Sequence, residues 1–125
     1  MFSHIMVGSN DIDRSKKFYD ATLGALGVPP ARVDDRNRLM YLTPAGIFMV
    51  TPPIDGKPAS HANGATIGFA AANPEQANAW HAAGVANGGA AIEDAPGERA
   101  GSGLYLAYLR DPDGNKLCAL HRLPR

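Results

Sequence analysis

Sulfur chemistry is scarce in this chain of 125 residues: it has one cysteine, Cys118, so no internal disulfide can form. Net charge is missing as well. Lys and Arg number 12 and Asp and Glu number 12, whereas a protein that grips phosphate backbones carries a basic excess. No nucleic-acid partner is therefore expected. No apolar run approaches the roughly 20 residues that cross a bilayer. The opening MFSHIMVGSND lacks the basic region and apolar stretch of a secretory leader. No membrane partner is expected, and the cytoplasm is the expected location. What the chain has in plenty is punctuation: 14 Gly and 10 Pro, which call for many turns between short elements. One domain spanning 1–125 is expected at this length, large enough to bury about two thirds of its unfolded surface.

The sequence repeats. Residues 4–22 (HIMVGSNDIDRSKKFYDAT) lie over residues 66–84 (TIGFAAANPEQANAWHAAG) at an offset of half the chain. Ile5 falls on Ile67, Val7 on Phe69, Asp11 on Asn73, Phe18 on Trp80 and Ala21 on Ala83. Each copy reads as an alternating strand followed by an amphipathic helix. Asp11 and Asn73 are the expected N-caps, because a short side-chain oxygen can accept from a free helix amide. Pro74 suits the first helical position, and Gln76 can complete a capping box. Gly24 and the Gly88–Gly89 pair are the expected stops.

Three strand-like pieces follow each helix: PARVDDR, NRLMYLT and GIFMVTPP in the first copy; AAIEDAPG, GLYLAYLR and NKLCALHR in the second. The chain is thus expected to be α+β, with two β-α-β-β-β modules over 1–52 and 65–125 and a Pro/Gly-rich linker over 53–64. Internal duplication explains the aligned caps and aromatics better than two unrelated halves do. The DPDG turn before the last strand suits a tight hairpin. Its glycine is misplaced for a calcium loop, and no glutamate follows at the twelfth position.

The opening HIMVGSNDIDRSKKFY and the closing YLRDPDGNKLCAL, in this order and far apart in the chain, resemble the vicinal oxygen chelate superfamily of glyoxalase I, bleomycin resistance proteins and extradiol dioxygenases. The resemblance covers nearly the whole chain. It implies a half-open barrel of paired modules around a cavity, and a homodimer as a partner state. It also implies four ligand positions in metal-using members, occupied here by His4, Met49, Thr66 and Cys118. Only His4 among these is a clear ligand; the set suits neither nickel, magnesium nor iron, which take oxygen or imidazole donors. The expectation that follows is a small-molecule binder with no metal cofactor and an altered metal site. The alternative is a divalent-metal enzyme, a lyase or dioxygenase, using His4. No catalytic residue is assigned.

Strand alternation puts His4, Met6 and Gly8 on one face, with Ile47, Met49 and Thr51, with Thr66, Gly68 and Ala70, and with Lys116, Cys118 and Leu120. The opposite faces carry Ile5, Val7, Phe48, Val50, Ile67 and Phe69, expected to pack under the helices. The expected ligand-contacting residues are His4, Met6, Met49, Thr66, Cys118, Leu120, Tyr105, Tyr108 and Arg99. Free cysteine is commonly a small buried hydrophobe; as a thiolate Cys118 would need a cation or helix N-terminus nearby, and Lys116 is on its face. His4 is either a hydrogen-bonded cavity residue or a ligand contact and general base. His61 in the linker, with His4 and Cys118, completes the weak metal candidates. His121 is expected on the face away from Cys118, and His81, on the second helix, at the surface or at an interface. Arg99, in the Gly-rich loop APGERAGSG, is either a solvated charge or a partner for a ligand carboxylate or phosphate. Tyr41 either packs or offers its hydroxyl.

Overall fold

The computed structural model describes residues 1–124. The first module is β1 (His4–Gly8), α1 (Ile12–Ala25), β2 (Arg32–Val33), β3 (Leu39–Thr43) and β4 (Gly46–Thr51). The second is β5 (Ile67–Ala70), α2 (Pro74–Ala86), β6 (Ala90–Ala91), β7 (Gly97–Glu98), β8 (Leu104–Arg110) and β9 (Lys116–Arg122). The sheets run β1-β4-β3-β2 and β5-β9-β8-β6, each with its first and last strands parallel and the rest antiparallel. The duplication seen in sequence is therefore a duplication of topology, in two open mixed sheets of an α+β fold. One piece differs from expectation. AAIEDAPG is not one strand: it splits into β6 and β7, both paired to β8. Glu93 between them takes a left-handed φ of 58°, and Pro96 offers no backbone donor, so a continuous ladder cannot form.

Both helices begin as their sequences dictate. The Asp11 and Asn73 side chains accept from the amides of Arg14 and Gln76, and Pro74 opens α2. Gln76 reaches back one residue beyond the cap, accepting from Ala72 N–H at 2.7 Å. The first stop is three residues later than expected. Gly24 lies inside α1, and Gly27 (φ 86°) ends it. Val28 N–H bonds Leu23 O and Gly27 N–H bonds Gly24 O, the paired closure that a left-handed residue after the cap makes possible. Gly88 (φ 97°) ends α2 with the matching bond from Gly89 N–H to Gly84 O.

The core lies between the helix pair and the inner sheet faces. Phe18, Tyr19, Tyr41, Val50, Trp80, Leu109 and Leu117 are fully or almost fully buried, and Ile5, Val7, Ile67 and Phe69 pack against them. Burying each large apolar side chain contributes about 2–3 kcal/mol. Gly84 lets the helices approach: a Cβ there would collide with Leu109 Cδ1 and stand 3.2 Å from Phe18 Cε1.

A polar clasp joins the modules. Asp111 accepts from the amides of Asp113 and Asn115, which shapes the closing hairpin. Its Oδ2 also accepts from Tyr19 Oη at 2.5 Å and from Asn115 Nδ2 at 2.8 Å. Asp113, its side chain 1% exposed, accepts from Asn10 N–H, Arg14 Nη2 and Ser15 Oγ. The start of the first helix and the last hairpin of the chain thus hold each other.

Candidate functional site

β1 and β5 are edge strands of two different sheets and do not pair, and the site lies at the seam between those sheets. Residues of both strands line two cavities along this seam. The larger, about 310 Å3, takes His4, Ile5 and Ile47 from one module and Ile67, Gly68 and Phe69 from the other. It deepens toward Leu23, Tyr41 and Phe48 and is edged by Met1 and Phe2. Aromatic rings therefore form its floor; Phe48 and Phe69 meet edge to face at 5.3 Å between centroids. Tyr41 both packs and bonds: it is buried and donates to Asp20 Oδ1 at 2.8 Å, so its hydroxyl is already satisfied. The smaller cavity, about 260 Å3, lies at the other end of β1, between Met6, Gly8, the linker residues Ser60 and Ala62, Ala65 and Lys116.

The outer face of the first sheet is apolar. In register across β1, β4 and β3 run His4–Ile47–Leu42 and Met6–Met49–Met40. Met6, Ile47 and Leu42 are more than a third exposed. A methionine row is an adaptable apolar surface, since thioether chains refit to irregular partners. On the second sheet the same row continues as Gly68–Cys118–Tyr108 and Ala70–Leu120–Leu106.

Cys118 is buried and free. Burial pushes its thiol up, against the hydrogen bond with Tyr108 and the charges of Arg99 and Lys116. The uncharged thiol is thus favoured, and the side chain is a poor nucleophile. Tyr108 stands between two cations, with Arg99 Cζ 5.5 Å and Lys116 Nζ 5.0 Å from its ring centroid. Lys116 is paired with Glu93. The Gly-rich segment carrying Arg99 is anchored by β7 on β8. Nη1 of Arg99 donates to Ala95 O and Gly97 O, and Nη2 donates to Asp94 O.

Among the expected contact residues, the structure brings His4, Met6 and Met49 onto one face and Cys118, Leu120, Tyr108 and Arg99 onto the other sheet. Thr66 sits exposed just before β5. Tyr105 is not with them. It is three residues from Tyr108 on one strand, so the two point to opposite faces, and its hydroxyl donates to Asn78 of α2 at 2.7 Å. His61 is not brought to His4. It packs on Gly114 of the closing hairpin, where a Cβ would stand 2.6 Å from its Nδ1, and the linker is pinned nearby by Asn10 on Ala59; His4 is at the far end of β1. His121 faces away from Cys118 and meets Ala71 O. His81, on α2, has its imidazole pushed down by burial, partly opposed by a backbone hydrogen bond at Tyr108. The rings beneath the seam, Phe48 and Phe69, were assigned to the core in sequence; the alternation that puts them there is correct, but they also floor the cavity where the sheets part.

The metal-ligand positions fail a chemical test. They offer one imidazole, one thioether, one hydroxyl and one buried thiol, and among the described residues no three His, Cys, Asp or Glu side chains come together. His4 Nδ1 is engaged by Ser3 Oγ at 2.8 Å. A divalent cation does not fit this set.

Two modules of this topology, each with parallel outer strands and a helix on one face, define a paired-module α+β class. The chain belongs to the Glyoxalase/Bleomycin resistance protein/Dioxygenase superfamily, whose family model matches residues 1–119. It is similar to a glyoxalase/bleomycin resistance protein from Albidiferax ferrireducens T118, at 61% identity and a TM-score of 0.94 over 98% of this chain and 99% of that one. The fold is shared with a glyoxalase-related enzyme from Fulvimarina pelagi (18% identity, TM-score 0.73, 96% and 86% covered). It is shared also with a lactoylglutathione lyase from Agrobacterium tumefaciens (17%, TM-score 0.65, 96% and 92% covered). No curated protein matches the chain. No helix among the described residues is long and apolar enough to cross a membrane.

Proposed function

We propose that the chain binds a small, mostly apolar organic molecule at the seam between its modules, without a divalent metal. The observation that carries this reading is the seam cavity, about 310 Å3 with an aromatic floor, set beside ligand positions whose donors are too soft and too few for a hard ion. A cavity of that size and lining suits a one- or two-ring ligand. A metal-dependent lyase or dioxygenase would need two further donors beside His4. The exposed Met6, Ile47 and Leu42 face fits a second copy of the chain, and a homodimer is part of the proposal; light scattering showing only monomer removes that part.

Two measurements test the reading. A thermal-shift screen with neutral aromatic amides should raise the melting temperature, because a ligand at a hundredfold excess over its Kd stabilises by about 2.7 kcal/mol. Metal analysis of the purified protein should find far less than one ion per chain. Stoichiometric metal that disappears in His4→Ala would establish the enzyme reading instead.

A further inference from the structure

We propose that Asn63 is a site of spontaneous deamidation, converted in the folded protein to isoaspartate and aspartate, and that its conversion changes the wall of the smaller cavity. The inference is independent of what the seam binds.

Two asparagines precede a glycine, Asn63 before Gly64 and Asn87 before Gly88. In sequence they are equivalent; in the structure they are not. Deamidation closes a small ring, so the backbone nitrogen of the following residue must reach the asparagine's side-chain carbon. Glycine allows that close approach because it carries no Cβ. Asn63 and Gly64 form an exposed turn. Gly64 has a φ of 92°, and a Cβ built on it would meet nothing within 4 Å, so the surroundings leave the ring room to close. Among the described residues the hydrogen bonds of this linker hold Gly56, Lys57 and Ala59; none holds the Asn63 side chain or the Gly64 N–H. Asn87 is the opposite case. It caps α2 and is half-buried. Its N–H bonds Gly84 O at 3.2 Å, and its Nδ2 donates to Ala83 O at 2.8 Å. That side chain is tied back to the last helical turn and must be released before its Cγ can meet the Gly88 nitrogen.

Water is the only co-reactant. The Gly64 nitrogen, its proton passed to a solvent base, attacks Asn63 Cγ. The Cγ–Nδ2 bond breaks, and Nδ2 leaves as ammonia, taking a proton back from solvent. Water then opens the cyclic imide. Attack at Cγ breaks the new C–N bond and gives aspartate. Attack at the Asn63 backbone carbonyl breaks the original peptide bond and leaves the chain running through Cγ as isoaspartate. Nothing is oxidised or reduced. Each product carries a carboxylate where a neutral amide stood, and isoaspartate also lengthens the backbone by one carbon. Ala62 and Ala65, on either side of Asn63 and Gly64, line the smaller cavity with Met6, Gly8 and Lys116. A new charge and a longer backbone between them alter that wall, whereas the larger cavity draws nothing from residues 60–66.

Ageing the full chain in mildly alkaline buffer, native and in guanidinium chloride, tests the proposal. Chymotrypsin cuts after Phe69 and Trp80 and so leaves the two asparagines on different peptides. In the native protein the Asn63 peptide should gain about 1 Da as two separable products. The Asn87 peptide should change at least about tenfold more slowly, since its helix end must open first. In guanidinium chloride the two rates should converge, and Asn63→Gln should abolish the gain at the first site over the same period. Native rates that are equal or reversed, or an Asn63 left unchanged in the native chain, overturn the inference. Backbone NMR shifts in the aged protein should reach Met6 and Lys116 across the smaller cavity; shifts confined to residues 60–66 would overturn the effect on the cavity.

Discussion

Gly84 shows how much one missing carbon can decide. In sequence it reads as a helix weakener, and Ala there should add about 1 kcal/mol of helix propensity. In the structure it is the contact point of the helices, with Phe18 Cε1 and Thr22 Cγ2 at 3.2 and 3.3 Å from any added Cβ and Leu109 nearer still. Leu109 and Phe18 are fully buried, so neither can swing clear. Overpacking costs about 1–3 kcal/mol and should win: Gly84→Ala is expected to lower stability by about 1 kcal/mol in urea unfolding, where a gain would contradict the packing described. Cys118 belongs to the same scale. Its face and burial were legible from strand alternation, but its raised thiol was not, because that depends on Tyr108, Arg99, Lys116 and Glu93 converging from other segments. Tyr105 lies apart from Tyr108 for a simpler reason: an odd spacing on one strand, visible in sequence, turns it to the opposite face.

The elements were legible wherever a local rule governs them. Caps, Pro74 and the hairpin turn each depend on residues a few positions apart, and all appear where the sequence puts them. Gly24 and Gly27 are both plausible stops by composition; which one ends α1 is decided by where Leu23 and Val28 can close the last turn. The clasp was not legible at all, since it joins residues about a hundred positions apart. Those residues lie in the two stretches that carry the family resemblance, and the structure gives them a mechanical role. Asp113→Ala should strand the Asn10 amide, take the carboxylate from Arg14 and leave the Ser15 hydroxyl only its bond to Ser9, at about 2 kcal/mol. Asp113→Asn should cost less. Equal midpoints in urea for wild type and Asp113→Ala would mean that the clasp holds nothing.

At the scale of the whole molecule, the repeat predicts the topology and the topology makes the seam, because the modules pack through α1 and α2 and leave β1 and β5 as unpaired edges lining the same cavities. Which side chains floor that seam could not be read, since Phe48, Phe69 and Tyr41 serve core and cavity at once. The same buried aromatics give the fold an alkaline limit. Burial, reinforced by Asp111, pushes the Tyr19 phenol well up; burial, reinforced by the bond to Asp20, does the same for Tyr41. Above about pH 10 the unfolded chain releases phenolic protons that the folded chain keeps, so stability is fully present below that pH and falls as pH rises, by up to about 1.4 kcal/mol per pH unit for each tyrosine. Unfolding midpoints from neutral pH to beyond pH 11 should drop accordingly, and Tyr41→Phe should flatten the slope; an unchanged slope would contradict the burial of a neutral phenol.

The claim on which the rest stands is that the junction of the two modules is an occupied pocket in the working protein. The most direct test is an amide-resolved NMR titration with 4-phenylbutyramide. The account expects saturable shifts concentrated on His4, Ile47, Phe48, Gly68 and Phe69; saturable shifts centred elsewhere on the molecule, or none, would contradict it.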